Sequence, residues 1–137
     1  MRDENDNSGV FIRIREEPTE PWMPVNKGFE VQIDNNDDEF HRTGVLYSFT
    51  KAMASPGKPG PMWNTMYITL DGPRTVVVVN SAKVTDFTQT ADFTPPPGKH
   101  DWEPAVGARP NAGWIGLQNH SDRDVVEFKE VAPRELK

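Results

Sequence analysis

The sequence predicts an all-β domain, and three observations carry that prediction. Val, Ile and Thr are abundant, while leucine occurs only at Leu46, Leu70, Leu117 and Leu136, the reverse of a typical helical domain. Apolar and polar residues alternate in short runs, the period of a half-buried strand. The 13 prolines and 10 glycines suit a fold with many turns. A chain of 137 residues fits one domain over 1–137 with a single core.

Eight strands are expected in order. Val10 to Arg15 sets Val10, Ile12 and Ile14 against Phe11, Arg13 and Arg15. Gly28 to Asp34 alternates more cleanly, with Phe29, Val31 and Ile33 opposite Glu30, Gln32 and Asp34. Thr43 to Phe49 follows, then Asn64 to Leu70 with Met66, Ile68 and Leu70 on one face. Asp71-Gly72-Pro73 reads as a turn into Thr75 to Val79, and Asn80-Ser81 as a turn into Lys83 to Phe87. Gly113 to Asn119 and Val125 to Val131 complete the set. Short alternating runs between turn residues indicate a sandwich or a barrel. Two Pro- and Gly-rich stretches, Ala52 to Pro61 and Asp92 to Asn111, interrupt the rhythm, as does a shorter one from Glu16 to Lys27. Loops this long are often functional.

Composition excludes several classes. A net charge of −6 and an acidic pI argue against a nucleic-acid partner, which needs a basic patch. No basic amphipathic stretch suggests a membrane surface, and no apolar run approaches the roughly 20 residues of a membrane span. The chain has no cysteine, which rules out disulfides and thiolate catalysis. The polar start, Met1-Arg2-Asp3-Glu4-Asn5-Asp6, does not look like a signal peptide, so the sequence as written implies a cytoplasmic location.

Two segments carry candidate chemistry. Alternation puts Glu30, Gln32 and Asp34 on one face, about 7 Å apart along the strand. This ladder suits sugar hydroxyls, and it equally suits a solvated outer face. If Ile115 and Leu117 face the core, Trp114, Gly116, Gln118 and His120 share the other side. An aromatic platform, a gap, an amide and an imidazole are the parts of a saccharide site. Asp34, Asn36 and Asp38 match the first positions of a calcium loop, but Glu39 stands where that loop needs glycine. His41, His100 and His120 lack zinc-like spacing, so no metal or cofactor is expected. Phosphate-binding loops, dinucleotide fingerprints and nucleophile elbows are absent.

The order of segments resembles the 3-keto-disaccharide hydrolase family. Asn7-Ser8-Gly9-Val10 ending in Arg13 is similar to the family's opening motif, and Gly28-Phe29-Glu30-Val31-Gln32-Ile33-Asp34 to its central strand. His41-Arg42-Thr43-Gly44-Val45-Leu46-Tyr47 resembles its Thr-Gly-Ala-Leu-Tyr segment. Trp63-Asn64 with Ile68, the Val79-Asn80 turn, and Gly113 to His120 follow in the family's order. The likeness runs from about Asn7 to Val131.

The resemblance implies a concanavalin-like jelly-roll sandwich of two antiparallel sheets, in a bacterial and mostly exported family. It also implies cleavage of glycosides whose sugar carries a 3-ketone. That ketone acidifies the C2 proton, a base removes it, and the enolate expels the C1 substituent; water can then add back. Such chemistry needs a base at C2, an acid at the glycosidic oxygen and donors for the enolate. On this reading Glu30 or His120 is the base, and the other, or Asp34, is the acid. Arg13, Gln32, Arg42, Tyr47 and Gln118 are expected to bind substrate, with Trp63 or Trp114 as the stacking surface. Arg13 has a second reading, pairing with Glu30 on a shared face.

The family usually carries several strands before its opening motif, and Ser121 stands where it commonly has glycine. The resemblance therefore implies a fragment, strands supplied by a partner chain, or a natural minimal form. A sandwich without those strands exposes a sheet edge through which a second copy can associate. Its expected partner is a saccharide or 3-keto-glycoside. A carbohydrate-binding module without turnover, or an inactive relative, are the alternatives to an enzyme.

Overall fold

The computed structural model describes residues 1–93 and 107–136. Seven elements follow in order: β1 (Ser8–Ile14), α1 (Met23–Lys27), β2 (Phe29–Ile33), β3 (Met66–Asp71), β4 (Arg74–Val79), β5 (Ala82–Thr88) and β6 (Trp114–Leu117). The strands form two antiparallel three-stranded sheets, ordered β2-β1-β6 and β3-β4-β5. This is the all-β fold that the alternation predicts, with the sandwich that the resemblance implies, and no closed barrel forms among the described residues. No helix among the described residues is long and apolar enough to cross a membrane.

The two hairpins of the second sheet form where turn chemistry demands. Gly72 takes φ 50° at the first central position between Asp71 and Arg74. Asn80 and Ser81 take φ 46° and 71° between Val79 and Ala82, the left-handed pair that suits strand twist. β4 buries Thr75, Val77 and Val79 completely. Val77 and Val79 pack with Val84 and Phe87 of β5 against Ile12, Phe29 and Val31 of the first sheet. Leu46 and Phe49 fill the gap, and Phe49 meets the Phe29 ring edge-on at 5.0 Å.

Two expected strands do not form. Residues 43–47 lie along β2, with Thr43 N bonded to Asp34 O (2.7 Å), Gly44 N to Gln32 O (2.9 Å), Gln32 N to Val45 O (3.0 Å) and Tyr47 N to Glu30 O (2.9 Å). They form no regular strand, only an isolated bridge from Leu46 to Val31. Gly44 and Ser48 have φ 94° and 64°, and turn bonds from Val45 N to Arg42 O and Phe49 N to Leu46 O curl the segment. Residues 125–131 alternate correctly but have no strand beside them among the described residues. Their contact with the N-terminal segment is Arg2 N to Val125 O (3.0 Å) together with Val125 N to the Asp6 carboxylate (3.0 Å).

A third departure concerns Arg13. Strict alternation would set it opposite Ile12, but the pairing with β6 shifts between Phe11 and Ile14, and Arg13 has φ 58°. This bulge puts Arg13 on the core side, 1% exposed, with its guanidinium 5.9 Å from the Phe29 ring centroid. It donates to the carbonyls of Gly72 (2.6 Å), Arg74 (3.0 Å) and Pro73 (3.4 Å), tying β1 to the β3–β4 turn.

Candidate functional site

The first sheet has one face in the main core, and its outer face carries a smaller buried cluster of Phe11, Ile14 and Val25 of α1. Register fixes the outer face row by row. Phe11 on β1 lies between Glu30 on β2 and Gly116 on β6. Gly9 lies between Gln32 and Gln118, whose amide donates to the Gly9 carbonyl (2.9 Å). Continuing the same register, Asn7 lies between Asp34 and His120. Its side-chain amide donates to the Asp34 carboxylate (3.3 Å), and its backbone amide to Asp124 (2.9 Å). Glu30, Gln32, Asp34, Gln118 and His120 are therefore brought to one face, as the alternation in both segments implies.

Glu30 is the unusual member. It is 5% exposed, and burial pushes its carboxyl up to about 7, against the lowering effect of a hydrogen bond from Gln118. Asp34 is also raised, first by burial and then by the charges of Asp37 and Asp124, although backbone amides of Asn36 and Asp37 oppose this. His120 is half-exposed, and its Nδ1 lies 2.8 Å from Asp124. Burial alone would raise Asp124, but hydrogen bonds from Ser121, the Asn7 amide and His120 outweigh it and hold the carboxyl low. Three buried amide oxygens on this face, Asn7 Oδ1, Gln32 Oε1 and Gln118 Oε1, have no protein donor among the described residues. Such acceptors are costly to bury unless water or a ligand's hydroxyls satisfy them.

Tyr47 joins the face from the neighbouring segment. Its amide donates to the Glu30 carbonyl (2.9 Å), and its side chain packs on Phe11, Ile14 and Val25. Trp114 shares the parity of Gly116 and is 64% exposed at the end of β6. Ile115 and Leu117, expected in the core, are 53% and 45% exposed. Leu117 pairs with Val10 on the core side, but β6 is the last strand of its sheet among the described residues, and neither Ile115 nor Leu117 joins a buried cluster.

The other expected binding residues lie elsewhere. Arg13 is spent on the β3–β4 turn, so it neither reaches this face nor pairs with Glu30. Arg42 donates to the Asp37 carbonyl and the Ser55 hydroxyl (both 2.6 Å), lining a shallow cleft with Asn35, Thr43, Ser55 and Gly57. Trp63 is exposed in the loop before β3, next to Asn64, whose side chain bonds Lys58 and Asn80. His100 and most of the second Pro-rich stretch lie outside the described residues. One group of possible metal ligands, Asp37, Asp38 and His41, lies within 4.8 Å among the described residues. Both His41 nitrogens there already face partners, Asp38 at 2.9 Å and Ser48 at 3.3 Å, so the group locks a loop.

Sequence reasoning quoted Asn7 and Gly9 only as part of the opening motif and gave them no role, although a glycine inside a strand marks a bulge or a close approach, and it passed over Asp124.

Residues 1–132 match the model of the 3-keto-alpha-glucoside-1,2-lyase-like domain. The chain belongs to that family. Its fold also matches solved structures of two proteins from Parabacteroides distasonis, each provisionally named a glycosyl hydrolase. The first aligns with a TM-score of 0.68 at 25% identity, covering 88% of this chain and 66% of that one. The second aligns at 0.59 and 18% identity, covering 68% of this chain and 47% of that one, and supports the fold alone. This family member thus spans just under two-thirds of the first relative's length. No curated protein matches the chain.

Proposed function

We propose that this domain binds a 3-keto-glycoside on the outer face of its first sheet and cleaves it by elimination across C1 and C2. The observation that carries the reading is the Glu30 carboxyl, buried, touching Gln118 and titrating near neutral pH. A general base works best with a pKa near the operating pH. Glu30 takes the C2 proton, and the electron pair forms the enolate of the C3 ketone. The C1–O bond then breaks, and the departing oxygen takes a proton from His120, whose ring Asp124 holds in place. The product is an enone, and addition of water at C1 completes a net hydrolysis.

Gln118 and Gln32 offer amide donors to the enolate region. Their unpaired oxygens, with that of Asn7, accept from sugar hydroxyls. Trp114 supplies the apolar surface for a sugar's C–H face. The exposed β6 edge, with Ile115 and Leu117, is where a second copy would pair.

Incubation with a 3-keto-glucoside bearing a chromogenic leaving group tests the reading, through aglycone release and enone absorbance. Release that disappears in Glu30→Gln and His120→Ala, with sugar affinity within a few-fold, is the expected result. A folded protein that binds the sugar without any release would leave a carbohydrate-binding module instead.

A further inference from the structure

The antiparallel register creates a spatial problem that the sequence solves with one residue. Glu30 is on β2 and its partner Gln118 continues β6, with β1 running between them. Two strand spacings separate their backbones by roughly 9.5 Å. Glu30 also sits one row away from Gln118, directly opposite Phe11. Its side chain must therefore cross the middle strand on the diagonal, over the position of residue 9.

Residue 9 is a glycine, and the Glu30 side chain fills the space a β-carbon there would take. An added Cβ would meet Glu30 Oε1, and would lie 2.7 Å from its Cγ and 2.9 Å from its Cδ. The three nearest atoms all belong to Glu30. Gly9 is not among the residues with positive φ, so its backbone accepts alanine. Its lack of a side chain therefore serves no turn. Gly116, in the next row, differs: an added Cβ there would make only ordinary contacts with Ile14 and Phe11, at 3.6 and 3.7 Å.

We infer that Gly9 is a positioning residue: the gap it leaves in the middle strand seats the Glu30 carboxyl and lets it reach Gln118 across β1. The role in turnover rests on the reading of Glu30 as the base, whereas the seating is a property of the folded chain and can be measured without substrate.

The test is Gly9→Ala, read in two ways. The Glu30 carboxyl is followed by NMR titration of carbon-13 glutamate, with Glu30→Gln identifying its signal. Pushed off its seat, the carboxyl should titrate at least about one unit closer to the ordinary glutamate value. Turnover of the 3-keto-glucoside should fall on the order of 100-fold in kcat, with a much smaller change in KM, because the base is displaced while the binding groups remain. A double-mutant cycle covers the case where Gly9→Ala folds poorly. The substitution should destabilise the wild-type background and cost little in the Glu30→Ala background, where nothing occupies the gap. An unchanged Glu30 titration, or an equal cost in both backgrounds, would overturn the inference. Wild-type protein that shows the shifted titration but no turnover would instead remove the catalytic reading and leave the seating intact.

Discussion

Replacing Glu30 with glutamine should stabilise the protein, and only above a defined pH. The carboxyl moves from an ordinary 4.5 to about 7, because burial penalises its charged form more than the Gln118 hydrogen bond helps it. The folded protein therefore holds this proton more tightly than the unfolded chain between those two values. Stability falls as pH rises through that window, and the full penalty is present above about 7. A shift of this size corresponds to about 3 kcal/mol for a group this deeply buried. Glutamine keeps the shape and cannot ionise, so the penalty disappears. Urea denaturation of both proteins from about pH 4 to about pH 8 measures it, and the difference between them isolates Glu30 from other titrations. Asp6, Asp38 and Asp124 are held low and act mainly below the window. The advantage of Glu30→Gln should grow by about 3 kcal/mol across the range, rising most steeply between pH 4.5 and about 7. An advantage independent of pH would refute the account of Glu30 as a strained, buried carboxyl.

The same carboxyl predicts an acidic limb in kcat/KM on a 3-keto-glucoside with a midpoint at about 7, since only the ionised form is a base, and the need for a protonated His120 turns the profile down at higher pH. Gln118→Ala removes the contact that lowers Glu30, so this rise should shift to higher pH, as a pH–rate profile would show. Arg13→Ala leaves three carbonyls of the β3–β4 turn without their cationic donor. It should cost about 3 kcal/mol or more in urea denaturation, while sugar affinity of the folded protein changes little. Trp114→Ala should weaken saccharide binding several-fold by calorimetry and leave stability nearly unchanged, because the ring is mostly exposed.

The parts of this molecule legible in the sequence are those where one physical rule acts alone. Residues 28–34 alternate because one side of β2 faces the core, and period 2 suffices to place Glu30, Gln32 and Asp34 together. The two hairpins follow from Gly72 and from Asn80-Ser81, whose backbones accept positive φ in a tight turn. Arg13 was not legible because a bulge breaks the period in its own strand, and a bulge depends on what lies across the sheet. The exposure of Ile115 and Leu117 goes with their place on the last strand of the sheet among the described residues, which no local pattern encodes. For 43–49, the run of apolar residues reflects real burial of Val45, Leu46 and Phe49. The positive φ angles at Gly44 and Ser48 turn that burial into a coil packed on the core.

The register of the site is enforced from its other face. Val10 stands between Val31 and Leu117 on the core side, one residue away from the row of Phe11, Glu30 and Gly116. A one-residue slip of β2 against β1 would turn Glu30 and Gln32 into the phenylalanine-lined core and bring Phe29 and Val31 to the polar face that Glu30 and Gln32 now occupy. Burying a carboxylate there, without a partner, costs far more than the shift it already carries. Packing of Ile12, Phe29 and Val31 therefore selects the one register that sets Glu30 beside the Gly9 gap and within reach of Gln118. Beyond Ile12 that constraint is released by the bulge, which turns Arg13 inward to hold the second sheet and returns Ile14 to the outer face. The middle strand thus serves two purposes in sequence. Its first half fixes the geometry of the site, and its second half anchors the sheet that buries the opposite side.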